Sequence, residues 1–149
     1  MRRKAKTNSR AETILLDAFY AEGHIARCRE RIQALEDRRT SITRMYGGET
    51  VQTSARPDKL LESIAQIDEM KAKMDRLLNS ELEKELRAER LINLLDYDEE
   101  REVLRRLYLS HESVNEIAYH LNYVIQTVYN MKSLAVKKLE AKLMEVGDV

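Results

Sequence analysis

Turn-making residues are scarce in this sequence: 149 residues include four Gly, one Pro and no Trp. A many-stranded sandwich or barrel needs turn residues about every 8–12 positions, so that class is excluded. What is abundant instead, Glu, Lys, Arg, Leu and Ala, points to long helices. A single cysteine, Cys28, excludes a disulfide framework and any Cys-based zinc or iron–sulfur site, and suits a reducing compartment. No apolar run approaches the roughly 18 residues that span a bilayer, and no hydrophobic segment of the secretory kind follows the basic N-terminus. Net charge is missing too: 26 basic and 26 acidic residues cancel, which argues against a protein that coats polyanions. The expectation is a soluble, cytoplasmic, all-α protein without a membrane partner, one domain or a small domain with an extension.

Three regions follow one another. Residues 1–10 carry Arg2, Arg3, Lys4, Lys6 and Arg10 with no acid before Glu12. They are expected to form a disordered basic tail, a solvated end or an arm that gains affinity for nucleic acid by releasing counterions. Residues 11–95 are expected to form a long helical hairpin. Apolar or small residues recur at Ile14, Ala18, Ala21, Ile25, Cys28, Ile32, Leu35, Ile42 and Tyr46, with Arg39 interrupting. Steps of four and three make a heptad seam on one helix, weakened at Gly23. The helix should stop at Gly47-Gly48. A polar loop then leads to Pro57, which fits the first turn of a second helix. That helix carries a broader stripe from Leu60 through Ile67, Met74, Leu82 and Leu91 to Leu95. Neither stripe could stabilise a lone helix in water, so the two pair within one chain or between two copies.

Residues 96–149 change pattern to three shorter elements. Asp98-Glu99-Glu100 can open a helix, because acids suit a helix N-terminus, and Val103, Leu104, Leu107 and Tyr108 form its apolar face. Ser113-Val114-Asn115-Glu116 has the form of a capping box before a short helix with Ile117, Ala118 and Leu121. Asn122 stands where a tight turn needs left-handed dihedrals. A last helix, starting near Ile125, carries Val128, Met131, Ala135, Val136, Leu139 and Leu143. Ala118 is the small residue that lets two helices cross closely, and Val128 and Met131 are spaced to lock the second onto the first. The arrangement is a helix-turn-helix. The second helix then offers Gln126, Thr127, Tyr129, Asn130, Lys132 and Ser133 outward. Asn and Gln can read adenine edges, and Lys can reach guanine or phosphate.

The stretch from Glu99 to Leu143, EEREVLRRLYLSHESVNEIAYHLNYVIQTVYNMKSLAVKKLEAKL, resembles region 4 of bacterial sigma factors. It has a comparable leading helix, an EIA-x-x-L support helix and a recognition helix ending in A-x-KKL. Over residues 14 to 143 the chain is similar to the sigma-region-4-like phage proteins of Gram-positive bacteria. There a helical hairpin precedes the module and its loop leads into a segment like Asp58-Lys59-Leu60…Ile64-Ala65. The resemblance implies control of phage or prophage gene expression, such as late-gene activation. It also implies that Gln126, Tyr129 and Asn130 face the major groove with Thr127 and Lys132 beside them, while Lys137 and Lys138, further along the helix, either meet phosphates or are simply solvated. Tyr129 stands where sigma modules usually have Arg or Lys, so base preference should differ. From Asp96 to Val149 there are seven basic and ten acidic residues, but from Asn122 to Lys142 there are four Lys and one Glu. A module so weakly charged needs help from dimerisation, the basic tail or RNA polymerase.

Nothing in the sequence carries catalysis. His24, His111 and His120 lack metal-ligand spacing, and His120, four residues after Glu116, is expected to pair with it on the surface. Cys28 falls on the seam as a buried thiol, and no phosphate-binding glycine loop occurs. The protein is therefore expected not to be an enzyme and to hold no cofactor or metal. Its expected partner is double-stranded DNA, bound as a homodimer and with RNA polymerase as a further candidate. Two rival readings are a protein-interaction factor acting through the hairpin on polymerase, a sigma factor or a host regulator, and a small-terminase-like packaging subunit.

Overall fold

The computed structural model describes residues 8–46 and 57–149. Among them all regular structure is helical: α1 (Arg10–Tyr46), α2 (Pro57–Ile92), α3 (Asp98–Tyr108), α4 (Val114–Leu121) and α5 (Ile125–Val146). The all-α expectation holds, and Pro57 opens α2 as its fixed φ permits. The basic residues 2–6 and the loop after Gly47 lie outside the described residues. Arg10, assigned from sequence to the tail, is instead the first residue of α1 and pairs with Asp148 at 3.2 Å. The helix is capped one residue earlier, where the Ser9 hydroxyl accepts from the Glu12 amide at 3.3 Å.

The chain divides into two compact units, one of residues up to Glu22 with Leu82–Val149, the other of Gly23–Glu81. The change at residue 96 is thus a change of element and not the edge of a unit, because the first and last turns of the hairpin helices share a core with α3 and α5.

In Gly23–Glu81, α1 and α2 run antiparallel. Arg39 Nε meets Asp68 at 3.0 Å, Lys71 Nζ meets Glu36 at 2.8 Å, and His24 Nδ1 meets Glu81 at 3.1 Å. Positions rise on one helix as they fall on the other, so the hairpin closes within a single chain. Glu36 hydrogen-bonds the Lys71 ammonium and raises its pKa above the ordinary value. The seam buries Ile25, Cys28 and Leu35 on α1 and Ile67 on α2, with Ile32 and Ile42 half-buried. The broader stripe of α2 is used unevenly, and Leu61, Met70 and Leu77 remain exposed.

The other unit holds the larger core. Ala11, Ile14, Leu15 and Ala18 of α1 and Ala88, Leu91 and Ile92 of α2 pack with Leu95, Leu104, Tyr108, Ala135, Leu139 and Leu143. Ala11 and Leu15 lie off the heptad seam and are nevertheless fully buried. With several helices as neighbours, α1 needs a wider apolar face here than a two-helix seam requires. Burial pushes the Tyr108 phenol up to about 12, with Glu12 adding to the shift. A hydrogen bond and two ion pairs fasten the ends: Glu140 accepts from the Ala11 amide at 2.7 Å, Arg105 meets Glu89 at 2.9 Å, and Arg87 meets Asp148 at 2.7 Å. His111 takes a left-handed φ of 57° between α3 and α4. Its ring stacks on Phe19 at 4.3 Å while Nε2 meets Glu22, tying that loop to α1.

Candidate nucleic-acid interface

The junction of α4 and α5 is set by local chemistry. The Ser113 hydroxyl accepts from the Glu116 amide at 3.1 Å and so caps α4. At the other end Asn122 turns left-handed, φ 58° and ψ 40°. The Tyr123 amide then reaches back five residues to the Ala118 carbonyl at 2.9 Å. That closes the carbonyl end of α4 in the manner of a left-handed helix stop, which Asn tolerates better than any branched residue. Two residues later α5 begins with Val124 extended as its N-cap.

Packing then fixes how α5 lies. Val103, Ile117, Ala118 and Val128 form a small buried cluster, with Leu107, Val114, Leu121, Tyr123 and Met131 packed around it. The close-crossing role of Ala118 and the locking role of Val128 and Met131 are both met. At about 100° per residue, burial of Val128, Ala135, Leu139 and Leu143 turns Gln126, Asn130, Ser133 and Lys137 to the opposite side. All four are exposed, as are Thr127 and Tyr129. The Gln126 Nε2 donates to Asn130 Oδ1 at 3.0 Å, so the two amides form one linked pair on the outward face.

Lys132 departs from the expectation. It lies four residues after Val128, hence on the core side, is half-buried, and carries its Nζ over the Tyr108 ring at 5.8 Å from the centroid. Lys138, expected near phosphate or in solvent, is paired with Glu100 and sits 4.9 Å over the Tyr97 ring. Lys142 is drawn to Asp96 at 3.3 Å. Of the four lysines on α5, Lys137 is the one on the outward stripe. His120 also pairs differently from expectation, with Glu112 at 3.4 Å. Glu112 is already held by Arg106 at 3.1 Å, and the loop ahead of α4 brings it within reach of the helix's last turn.

Four exposed apolar residues escaped the sequence reading: Tyr119 at 82% exposure, Val124 at 72%, Ile125 at 46% and Leu134 at 51%. A helical wheel would have found Tyr119, since Val114, Ile117, Ala118 and Leu121 define the packed face of α4 and leave it on the far side.

Elsewhere, a cleft of about 410 Å³ lies between His24, Arg27, Cys28, Met74, Leu77 and Glu81, and Cys28 is buried, as expected of a seam thiol. Among the described residues no group of three or more His, Cys, Asp or Glu is placed to hold a metal ion. No helix among them is long and apolar enough to cross a membrane.

No curated protein and no solved structure matches the chain. A family model described as a protein of unknown function, DUF1492, matches residues 40–140. The match covers more than half of the chain and runs from the last turns of α1 through most of α5, and the chain belongs to the DUF1492 family.

Proposed function

We propose that the protein is a sequence-specific DNA-binding regulator of transcription, encoded by a phage or prophage, that reads the major groove with the first turns of α5. The observation that carries this reading is the α4–α5 junction. A capped support helix, a left-handed Asn122 and a buried Ala118–Val128 crossing hold α5 with a polar stripe, Gln126, Asn130, Ser133 and Lys137, turned outward. Recognition helices of helix-turn-helix proteins use their N-terminal residues on base edges in this way. The resemblance of Glu99–Leu143 to sigma region 4 supports the same reading and adds promoters as the place of action.

A second reading has its own observation. Lys132, Lys138 and Lys142 are engaged within the chain, so α5 offers phosphate little positive charge. That balance favours a factor acting on RNA polymerase or a sigma factor, through the hairpin or through exposed Tyr119 and Val124. A DNA reader of this kind gains its affinity from a second copy on paired half-sites or from polymerase.

Recovery of bound fragments from sheared DNA of the source genome separates the two. Discrete promoter-proximal sites, lost in a Gln126→Ala, Asn130→Ala variant that keeps its helical circular dichroism, support the DNA reading. Absence of any enriched fragment with folded protein contradicts it and leaves the protein partner.

A further inference from the structure

Resting on that DNA reading, the geometry points to the class of base pair that this face selects: A·T, with adenine read by the linked Gln126–Asn130 amides and thymine methyls met by the apolar flanks of the same turns. Gln126 Nε2 donates to Asn130 Oδ1 at 3.0 Å. That bond consumes one donor and one acceptor of the pair. It leaves the Gln126 carbonyl oxygen free to accept and the Asn130 amide nitrogen free to donate. Reversing both amides exchanges the roles and leaves the same two functions. One acceptor beside one donor is the complement of adenine in the major groove, which presents an N6 donor and an N7 acceptor. Guanine alone presents two acceptors there and cytosine alone one donor, so a G·C pair meets both halves of the linked pair only by bridging guanine O6 and cytosine N4, whereas adenine meets them within one base.

The flanks point the same way. At about 100° per residue, Tyr129 borders the amides on one side and Thr127 and Leu134 on the other. Tyr129 and Leu134 are about half exposed, and Thr127 is exposed. Methyl and aromatic carbon beside an adenine-reading amide suits the C5-methyl group of thymine.

The usual readers of G·C are missing from this face. The first turn of α5 holds no acid to accept from cytosine N4. Between Ile125 and Val136 the single charged residue is Lys132, whose Nζ is turned over Tyr108. The next cation on the outward stripe, Lys137, stands about 16 Å along the axis from Gln126, a position for phosphate contact.

The test is selection of bound duplexes by the full chain from a random double-stranded library, followed by base substitution in the recovered site. The expected result is a core of A·T pairs. Replacing the central A·T pair by G·C should weaken binding at least about fivefold. Substituting 7-deazaadenine, which lacks N7, or uracil, which lacks the methyl group, should each weaken it severalfold with the protein unaltered. The Gln126→Ala, Asn130→Ala variant should bind the A·T and G·C versions alike. Enrichment of G·C-rich cores, or full affinity for 7-deazaadenine at every position, overturns this inference alone. A library that yields no bound duplex takes away the DNA reading and this inference with it.

Discussion

Lys138 on α5 binds the carboxylate of Glu100 on α3, a side chain with only a tenth of its surface exposed, and Glu100 Oε2 is left buried without a hydrogen-bond partner. The lysine that sequence places near phosphate or in solvent is therefore spent on neutralising a charge inside the fold.

Removing that lysine should expose the debt. Lys138→Met strands a buried carboxylate and should cost roughly 2–4 kcal/mol of stability, read from the urea midpoint. Pairing it with Glu100→Leu should recover most of the loss, because the uncompensated charge is then gone. A single variant as stable as the wild type would show that water reaches Glu100 freely.

The chain has a stabilising change available at Gly23. It lies inside α1, and a Cβ built there meets nothing within 4 Å. Gly23→Ala should raise stability by about 0.5–1 kcal/mol through the entropy of the unfolded chain, seen as a higher melting temperature. A lower one would mean that the position needs glycine for a reason other than space.

Gly23 is legible in the sequence as a weak point of the seam, whereas the partner of Lys138 is not. The caps and the turn are local, so Ser113, Asn122 and the start of α5 near Ile125 can be read from neighbours within four residues. The seam from Ile14 to Leu35 is equally plain, since period alone defines it. The partner of Lys138 is not legible, because Glu100 lies 38 positions away, a distance that no local pattern reports. Lys132 is different: its place four residues after Val128 puts it on the core side while its charge argues for an outward position, and a long aliphatic stem can lie along the core side. Ala11 and Leu15 escaped because a heptad describes a two-helix seam, and their neighbours come from several helices.

Alkali should unfold the protein partly through Tyr108. Burial lifts its phenol from 10.0 to about 12, so below pH 10 it is neutral in both states and its contribution is fully present. Above pH 10 the unfolded chain ionises first, and stability falls by about 2–3 kcal/mol as pH rises through about 12. Tyr108→Phe keeps the ring in the core and should flatten that part of the profile in denaturant titrations at successive pH values. An equal slope in both proteins would assign the loss to other groups.

The turn makes its own demand at Asn122, with φ 58°. Asn122→Gly should be nearly neutral, whereas Asn122→Val should cost about 1–2 kcal/mol and loosen α5 on α4. Chemical denaturation gives the first number. Val128 amide hydrogen exchange, faster in the valine variant, reports the second. Equal stability of the two variants would mean that the junction does not need left-handed backbone.

Asn130 lies in the middle of the outward stripe of α5 that is proposed to read base edges. Binding of wild type and Asn130→Ala should be compared on the enriched site and on random duplex at fixed salt. The expected loss is about 1–3 kcal/mol on the enriched site and almost none on random DNA. Equal loss on both, or no loss on either, would contradict it.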